Sequence, residues 1–375
     1  MAANTPELRK DCAAKLKATK GRVNELKAFV GFDGFVDNIL HVVDKRESAE
    51  KYERMPTISR LADRIAGAAG KSTNVELVSQ QVKLGGNGPI MANALVNLGL
   101  SVCYLGNLGH PELHPVFSDF AKRAEVHSIL DPGITDALEF NDGKIMLGRH
   151  EMLKRFNWQL IQERFGREKL AAKIGEAGFA AFVNWTHYAS MNDIWGTILR
   201  EICPGLSGPR RTLFFDLADP EKRTKEDIET ALGLIAGFQK YFEVILGLNE
   251  KECSEIGEVL GLKMDEQSSE GLAALGRKIL ERVSVGTLAV HPVTYAIAVN
   301  KDGAAIVEGP FTPKPLITTG AGDHFNAGFC FGRLLGLDNA MCVLTGVSTS
   351  GFYVRTAKSP TVDDLIGLLE NWPTK

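Results

Sequence analysis

The 375-residue chain reads as an α/β protein with a parallel sheet between two layers of helices, and three features predict it. In the second half, short β-branched and aromatic runs alternate with helical stretches, the rhythm of strand–helix–strand units. The 38 glycines exceed the usual share of about 7%, as many tight turns between alternating elements would require. Two carboxylates, Asp33 and Asp37, follow just past the first predicted strand, where open α/β sheets place ligand contacts.

Composition narrows the function. A net charge of −3 provides no basic field for nucleic acid or an anionic membrane, so neither is expected as a partner and a small molecule is. Six scattered cysteines (Cys12, Cys103, Cys203, Cys253, Cys330, Cys342) include no Cys-x-x-Cys pair and fit a reducing cytoplasm. No basic N-terminal segment leads into an apolar stretch, and no run approaches about 18 apolar residues, so neither a signal peptide nor a membrane span is expected. No repeat, low-complexity segment or linker divides the chain.

Taken in order, the residues up to Lys27 carry Leu8, Cys12 and Leu16 at a spacing of four, which predicts an outlying helix. The first strand covers residues 28–32 and is followed by Asp33, Gly34 and then Asp37. An ionised Asp37 accepts on two oxygens and can hold two neighbouring hydroxyls of a polyol; a solvated Asp37 beyond an Asp33-Gly34 turn is the plainer alternative. Residues 44–72 read as an inserted, charged helix. A strand holding Val75, Leu77 and Val78 leads to Gly85-Gly86-Asn87, where paired glycines let backbone approach a ligand. A helix then runs from Pro89 to Gly99. Residues 102–106 are a strand, and residues 133–147 form a hairpin around Asn141-Asp142-Gly143.

The second half places strands at 180–183, 212–216 and 242–247, with helices around 194–202 and 225–237 between them. The third of these strands runs into Asn249 and Glu252, which share a helix face beside the strand end; a capping box would use the same two residues. The strand at 287–290 leads to His291, expected to be a packed loop residue. Residues 295–299 and 304–307 form a second hairpin.

The stretch from Thr318 to Gly328 carries the strongest chemical signal. Gly320-Ala321-Gly322 suits a tight turn, and the apolar run after Asp323 predicts a buried helix starting near Gly320. The first backbone N–H groups of such a helix lack intrahelical partners and sit at the positive dipole end, so they can hold a phosphate. Asp323, in the first turn, is placed to accept a proton from an attacking hydroxyl. A plain joint capped by Asp323 would contain the same residues.

In its context, Gly320-Ala321-Gly322-Asp323 resembles the signature of the ribokinase-like (PfkB) carbohydrate kinases. Three other segments resemble further motifs of that family, in the family's order: Gly31 to Asp37, Gly85-Gly86-Asn87 and Asn249-x-x-Glu252. One position departs, with Ile90 where many members carry Asn. The resemblance spans roughly residues 28–368 and implies a ribokinase-like three-layer α/β/α sandwich with a small β lid. It implies one kinase domain over residues 1–375, with lid elements at approximately 35–45 and 133–148.

The activity implied is Mg²⁺-assisted transfer of a phosphoryl group from ATP to a hydroxyl of a sugar or sugar-like substrate, by a cytoplasmic enzyme whose small-molecule partners are a sugar or nucleoside acceptor and the nucleotide. The roles implied are Asp323 as base with Gly320, Ala321 and Gly322 holding the anion; Asp37, Gly85, Gly86 and Asn87 on the acceptor; and Asn249 and Glu252 at Mg²⁺ through water. Asn249 and Glu252, with Gly320 and Gly322, would also bind the nucleotide. A second copy of the chain, paired through the lid, is carried as a partner. Residues 31–37, 90–93 and 246–250 also look like the ADP-dependent sugar kinases, so ADP is the alternative donor. A non-catalytic sugar- or nucleotide-binding regulator on this fold is the alternative to an enzyme.

Overall fold

The structure, a computed structural model, describes residues 4–373. Its strands in chain order are β1 Lys27–Gly31, β2 Phe35–Arg46, β3 Tyr52–Arg54, β4 Leu77–Gly85, β5 Ser101–Gly106, β6 Glu125–Ser128 and β7 Gly133–Glu139. There follow β8 Lys144–Arg149, β9 Phe179–Phe182, β10 Arg211–Asp216, β11 Phe242–Leu248, β12 Thr287–Val290, β13 Tyr295–Asn300 and β14 Gly303–Glu308.

The main sheet runs in the order β14-β13-β12-β11-β10-β9-β1-β5-β6. It is parallel from β12 to β6, with the β13–β14 hairpin added antiparallel at one edge. Alternate residues serve alternate layers, as the two-residue strand period dictates. Phe29 packs on one side with Phe182, Trp195 and Phe215; Ala28 and Val30 pack on the other with Met91, Phe325 and Phe329. Because both faces are covered, β9 and β12 are buried along their whole length, which explains their unbroken apolar sequences. The strand–helix alternation read from the sequence is thus realised as a helix–sheet–helix sandwich.

A second, smaller sheet is built on β2. β4 pairs antiparallel on one side of it, and β7, then β8, on the other. The register sets Lys83, Asp37, Thr135 and Gly148 in one cross-strand row. The strand expected near Val75 runs instead from Leu77 to Gly85, straight into the glycine pair. The insertion contains β3 and the helix Ile58–Ala66, whose Leu61 packs with Leu40, Val42, Met55, Leu138 and Phe140. It therefore supplies this sheet with a core of its own, which a few strands alone could not build. No helix among the described residues is long and apolar enough to cross a membrane.

Candidate active site

A cleft of about 520 Å³ opens between the carboxyl ends of the main-sheet strands and the smaller sheet. Asn184 follows β9, Asp216 ends β10, Asn249 follows β11 and His291 follows β12, and all four line it. Each strand of a parallel sheet points its carboxyl end the same way, so one edge gathers residues that lie far apart in sequence.

Of the residues the sequence singles out, Asp37, Gly86, Asn87, Asn249, Glu252, Gly320, Gly322 and Asp323 line this cleft. Gly85 and Ala321 do not. Gly85 lies directly behind Asp37, where an added Cβ would stand 2.3 Å from the carboxylate. Ala321 lines an adjoining, mostly apolar cavity of about 400 Å³, which shares His291 and Gly322 with the cleft.

The helix Ala321–Leu334 starts from Gly320, whose φ of +91° is left-handed and favours glycine. Its first turn differs from the expected row of bare amides. The Ala321 N–H donates to the Thr318 carbonyl at 3.1 Å, closing the turn before the helix, whereas the Gly322 N–H has no hydrogen bond among the described residues. Nor does Asp323 take the N-cap position, which falls to Gly320 and carries no side-chain cap. The Asp323 carboxylate instead accepts from the Asn87 side-chain amide at 3.0 Å. Burial pushes Asp323 well above the usual carboxylate range, the nearby charges of Asp33 and Asp37 push the same way, and the Asn87 hydrogen bond pulls back.

Two residues that no sequence rule flagged brace this turn. His324 is stacked on Tyr353 with ring centroids 3.6 Å apart; its Nδ1 lies 2.7 Å from the Gly320 carbonyl and its Nε2 2.9 Å from the Ser359 hydroxyl. The Tyr353 hydroxyl donates to the Thr319 carbonyl.

On the side of the smaller sheet, Asp37 is only 5% exposed. Burial raises its pKa, while Lys83, Lys144 and a hydrogen bond from Thr135 draw it down. Asp33, read as part of a turn, is fully buried and accepts from the Gly88 N–H and the Asn184 amide, each at 2.8 Å. It anchors the start of the helix Asn87–Asn97 to the end of β9. Burial moves its pKa up to about 6 against the pull of these donors.

Asn249 and Glu252 form the complete capping box of the helix Glu250–Val259. The two Glu252 oxygens accept the Asn249 and Asp219 N–H groups at 2.8 and 2.9 Å, and both side chains still border the cleft. Asp216 stands beside them, held by the Asn326 amide and the Ala218 N–H, each at 2.9 Å. Burial first, then the charges of Glu252 and Asp323, raise its pKa well above the usual value. Such a surplus of buried carboxylate oxygens is a hard-donor set that suits Mg²⁺.

Sequence reasoning missed Asp216, Asn184, His150, His187 and Lys222, all of which line the cleft. Asp216 could have been found as a carboxylate ending a strand; the others carry no local signal. His291 packs on Phe325, centroids 5.0 Å apart, as a loop residue should, yet it also borders both cavities.

The family model described as prokaryotic ketohexokinase matches residues 3–372. The chain belongs to that family. A ketohexokinase from Haloferax volcanii is 31% identical over 346 residues, covering 92% of this chain and 91% of its own. Among solved structures, an Arabidopsis thaliana ribokinase complexed with ribose and ATP superposes with a TM-score of 0.64 at 13% identity, covering 92% of this chain and 98% of that one. A Thermotoga maritima ribokinase gives 0.60 at 16%, covering 92% and 99%. The prokaryotic ketohexokinase fold here is therefore ribokinase-like, and the protein is a carbohydrate kinase, a phosphotransferase with an alcohol group as acceptor.

Proposed function

We propose that this enzyme transfers the γ-phosphoryl group of ATP to a hydroxyl of a ketohexose, with Asp323 as general base. The observation that carries the reading is the Asp323 carboxylate, which faces the cleft beside the open Gly322 N–H and is held by Asn87 instead of capping its helix. A base at the positive end of a helix dipole stands next to the site that suits a transferring phosphoryl group. Asp37 holds acceptor hydroxyls, with Gly85 leaving room for its carboxylate and Gly86 and Asn87 forming the adjacent backbone wall. The ketohexose follows the name of the Haloferax relative, and ATP the ligand named with the Arabidopsis ribokinase.

The adjoining apolar cavity suits the nucleotide base, from which the phosphates would reach the cleft past Gly322. Glu252 and Asn249, with Asp216 beside them, would hold Mg²⁺ through water. When bound, the ion offsets phosphate charge. The smaller sheet would act as a lid that keeps water from competing as acceptor. Its exposed Val82 and Leu147 leave apolar surface for pairing with a second copy. All six cysteines are free, which supports a reducing, cytoplasmic setting.

A panel of ketohexoses, aldoses, pentoses, sugar phosphates and nucleosides, each assayed with ATP and with ADP, tests the reading. Fastest turnover is expected with a ketohexose and ATP. Turnover confined to ADP, or to a nucleoside, would overturn it.

A further inference from the structure

His187 lies in the loop after β9 and lines the cleft, and a chain of hydrogen bonds settles which of its nitrogens is bare. The Asp33 carboxylate accepts the Gly88 N–H on one oxygen and, on the other, the Asn184 side-chain amide at 2.8 Å. A carboxylate that only accepts must meet the NH₂ end of Asn184, so the amide oxygen turns the other way. That oxygen lies 2.6 Å from His187 Nδ1. Since a carbonyl oxygen cannot donate, Nδ1 carries the proton, and in neutral imidazole Nε2 is left as an acceptor. Nε2 has no hydrogen-bond partner among the described residues.

The ring is fixed as well as the tautomer. Phe35, from β2, meets His187 edge-on with centroids 5.6 Å apart, and His150, just after β8, does so at 5.0 Å. Phe35 and His150 are themselves in edge contact at 5.3 Å. Burial, with His150 and Lys222 nearby, moves the His187 pKa down to about 4, so the imidazole is neutral at ordinary pH. Of the charged groups around it, Lys222 is paired with Asp219 at 3.0 Å, and Asp33 is engaged as described.

We propose that His187 is a specificity-determining residue that accepts a hydrogen bond from one hydroxyl of the sugar acceptor, through an Nε2 kept bare by the Asp33–Asn184–His187 chain. This deepens the proposed function and rests on it. A fixed lone pair welcomes a hydroxyl proton and repels the oxygens of a phosphate or carboxylate. The acceptor it favours is therefore a neutral, unphosphorylated sugar. The geometry also explains why His187 and Asn184 form a unit: removing the amide would free the imidazole to turn its proton toward the substrate.

The test uses the full-length enzyme with a series of singly deoxygenated and singly fluorinated analogues of its best sugar. Fluorine does not donate, so it cannot replace a hydroxyl that meets an acceptor. In the parent, at least one position should lose on the order of 10²-fold or more in kcat/KM with either analogue. In His187→Phe, which keeps a ring against Phe35 and His150, the loss at one such position should shrink to less than about threefold, while losses elsewhere and the nucleotide KM stay the same. His187→Leu, which also removes the acceptor and keeps an apolar side chain against Phe35 and His150, provides the same comparison should the Phe variant fail to fold. Equal losses at every position in parent and variants would overturn the assignment and leave the kinase reading intact. A parent that phosphorylates no sugar would sink both.

Discussion

The Asn87 amide donates to the Asp323 carboxylate at 3.0 Å, across 236 residues of sequence. This single bond ties the first turn of the helix Asn87–Asn97 to that of the helix Ala321–Leu334. It therefore couples the Gly86-Asn87 wall of the cleft to the Gly320–Gly322 turn. It also favours the ionised form of a carboxylate that burial and two neighbouring aspartates push toward protonation.

The first prediction concerns that bond. A general base must be ionised, and Asn87 holds the Asp323 pKa down, so Asn87→Ala should move the acid limb of the kcat–pH profile to higher pH. An acid limb that does not move would mean that the amide only joins two helices.

Asp323 and Asp37 should fail in different ways. Asp323→Asn should lower kcat on the order of 10²–10⁴-fold with acceptor binding nearly intact. Asp37→Ala should weaken acceptor binding by roughly 2–5 kcal/mol and spare the nucleotide. Gly85→Ala, whose new Cβ would stand 2.3 Å from the Asp37 carboxylate, should resemble Asp37→Ala in raising acceptor KM. Steady-state kinetics and calorimetry on the three proteins separate the roles; a parent-like kcat in Asp323→Asn would reduce the anion turn to a helix start.

Glu252 serves its helix cap and, in the proposed reading, the metal. Glu252→Gln sets an NH₂ group against one of two backbone N–H donors, so it should lose about 0.5–2 kcal/mol of stability. It should also need more Mg²⁺ for half-maximal rate, since the charge that orders the ion's waters is gone. Destabilisation with an unchanged Mg²⁺ titration would leave Glu252 a capping residue alone.

The last prediction follows from buried histidines. Burial moves His324 from 6.5 down to about 4. The unfolded chain therefore binds the extra proton first as pH falls, and the stability this residue contributes is lost on going from about 6.5 toward 4. Asp33, raised from 3.8 to about 6, acts in the opposite sense over an overlapping window, because its unfolded form releases its proton first as pH rises. In His324→Asn the acid-induced fall in Tm between these limits should be shallower than in the parent. An equal slope would place the histidine's titration outside this window.

What the sequence determined by itself is the set of features that obey local rules. The strand–helix rhythm depends on runs of neighbouring residues, and Gly320, Gly322, Gly86 and Asn249 sit at element ends, where backbone amides and left-handed turns demand particular residue types. These are legible because the physical requirement lies within a few residues of the one that meets it. Only the tertiary structure decided that Asp323 reaches Asn87 instead of capping its helix, that Asp33 is a buried anchor, and that Ala321 spends its N–H on Thr318. The same holds for Asp216, Asn184 and His187. Their surroundings depend on strand order, since β9 lies between β1 and β10, and on the register that carries the smaller sheet over the strand ends. Burial, charge and hydrogen-bond partners of these groups come from residues distant in sequence, and no local pattern encodes them.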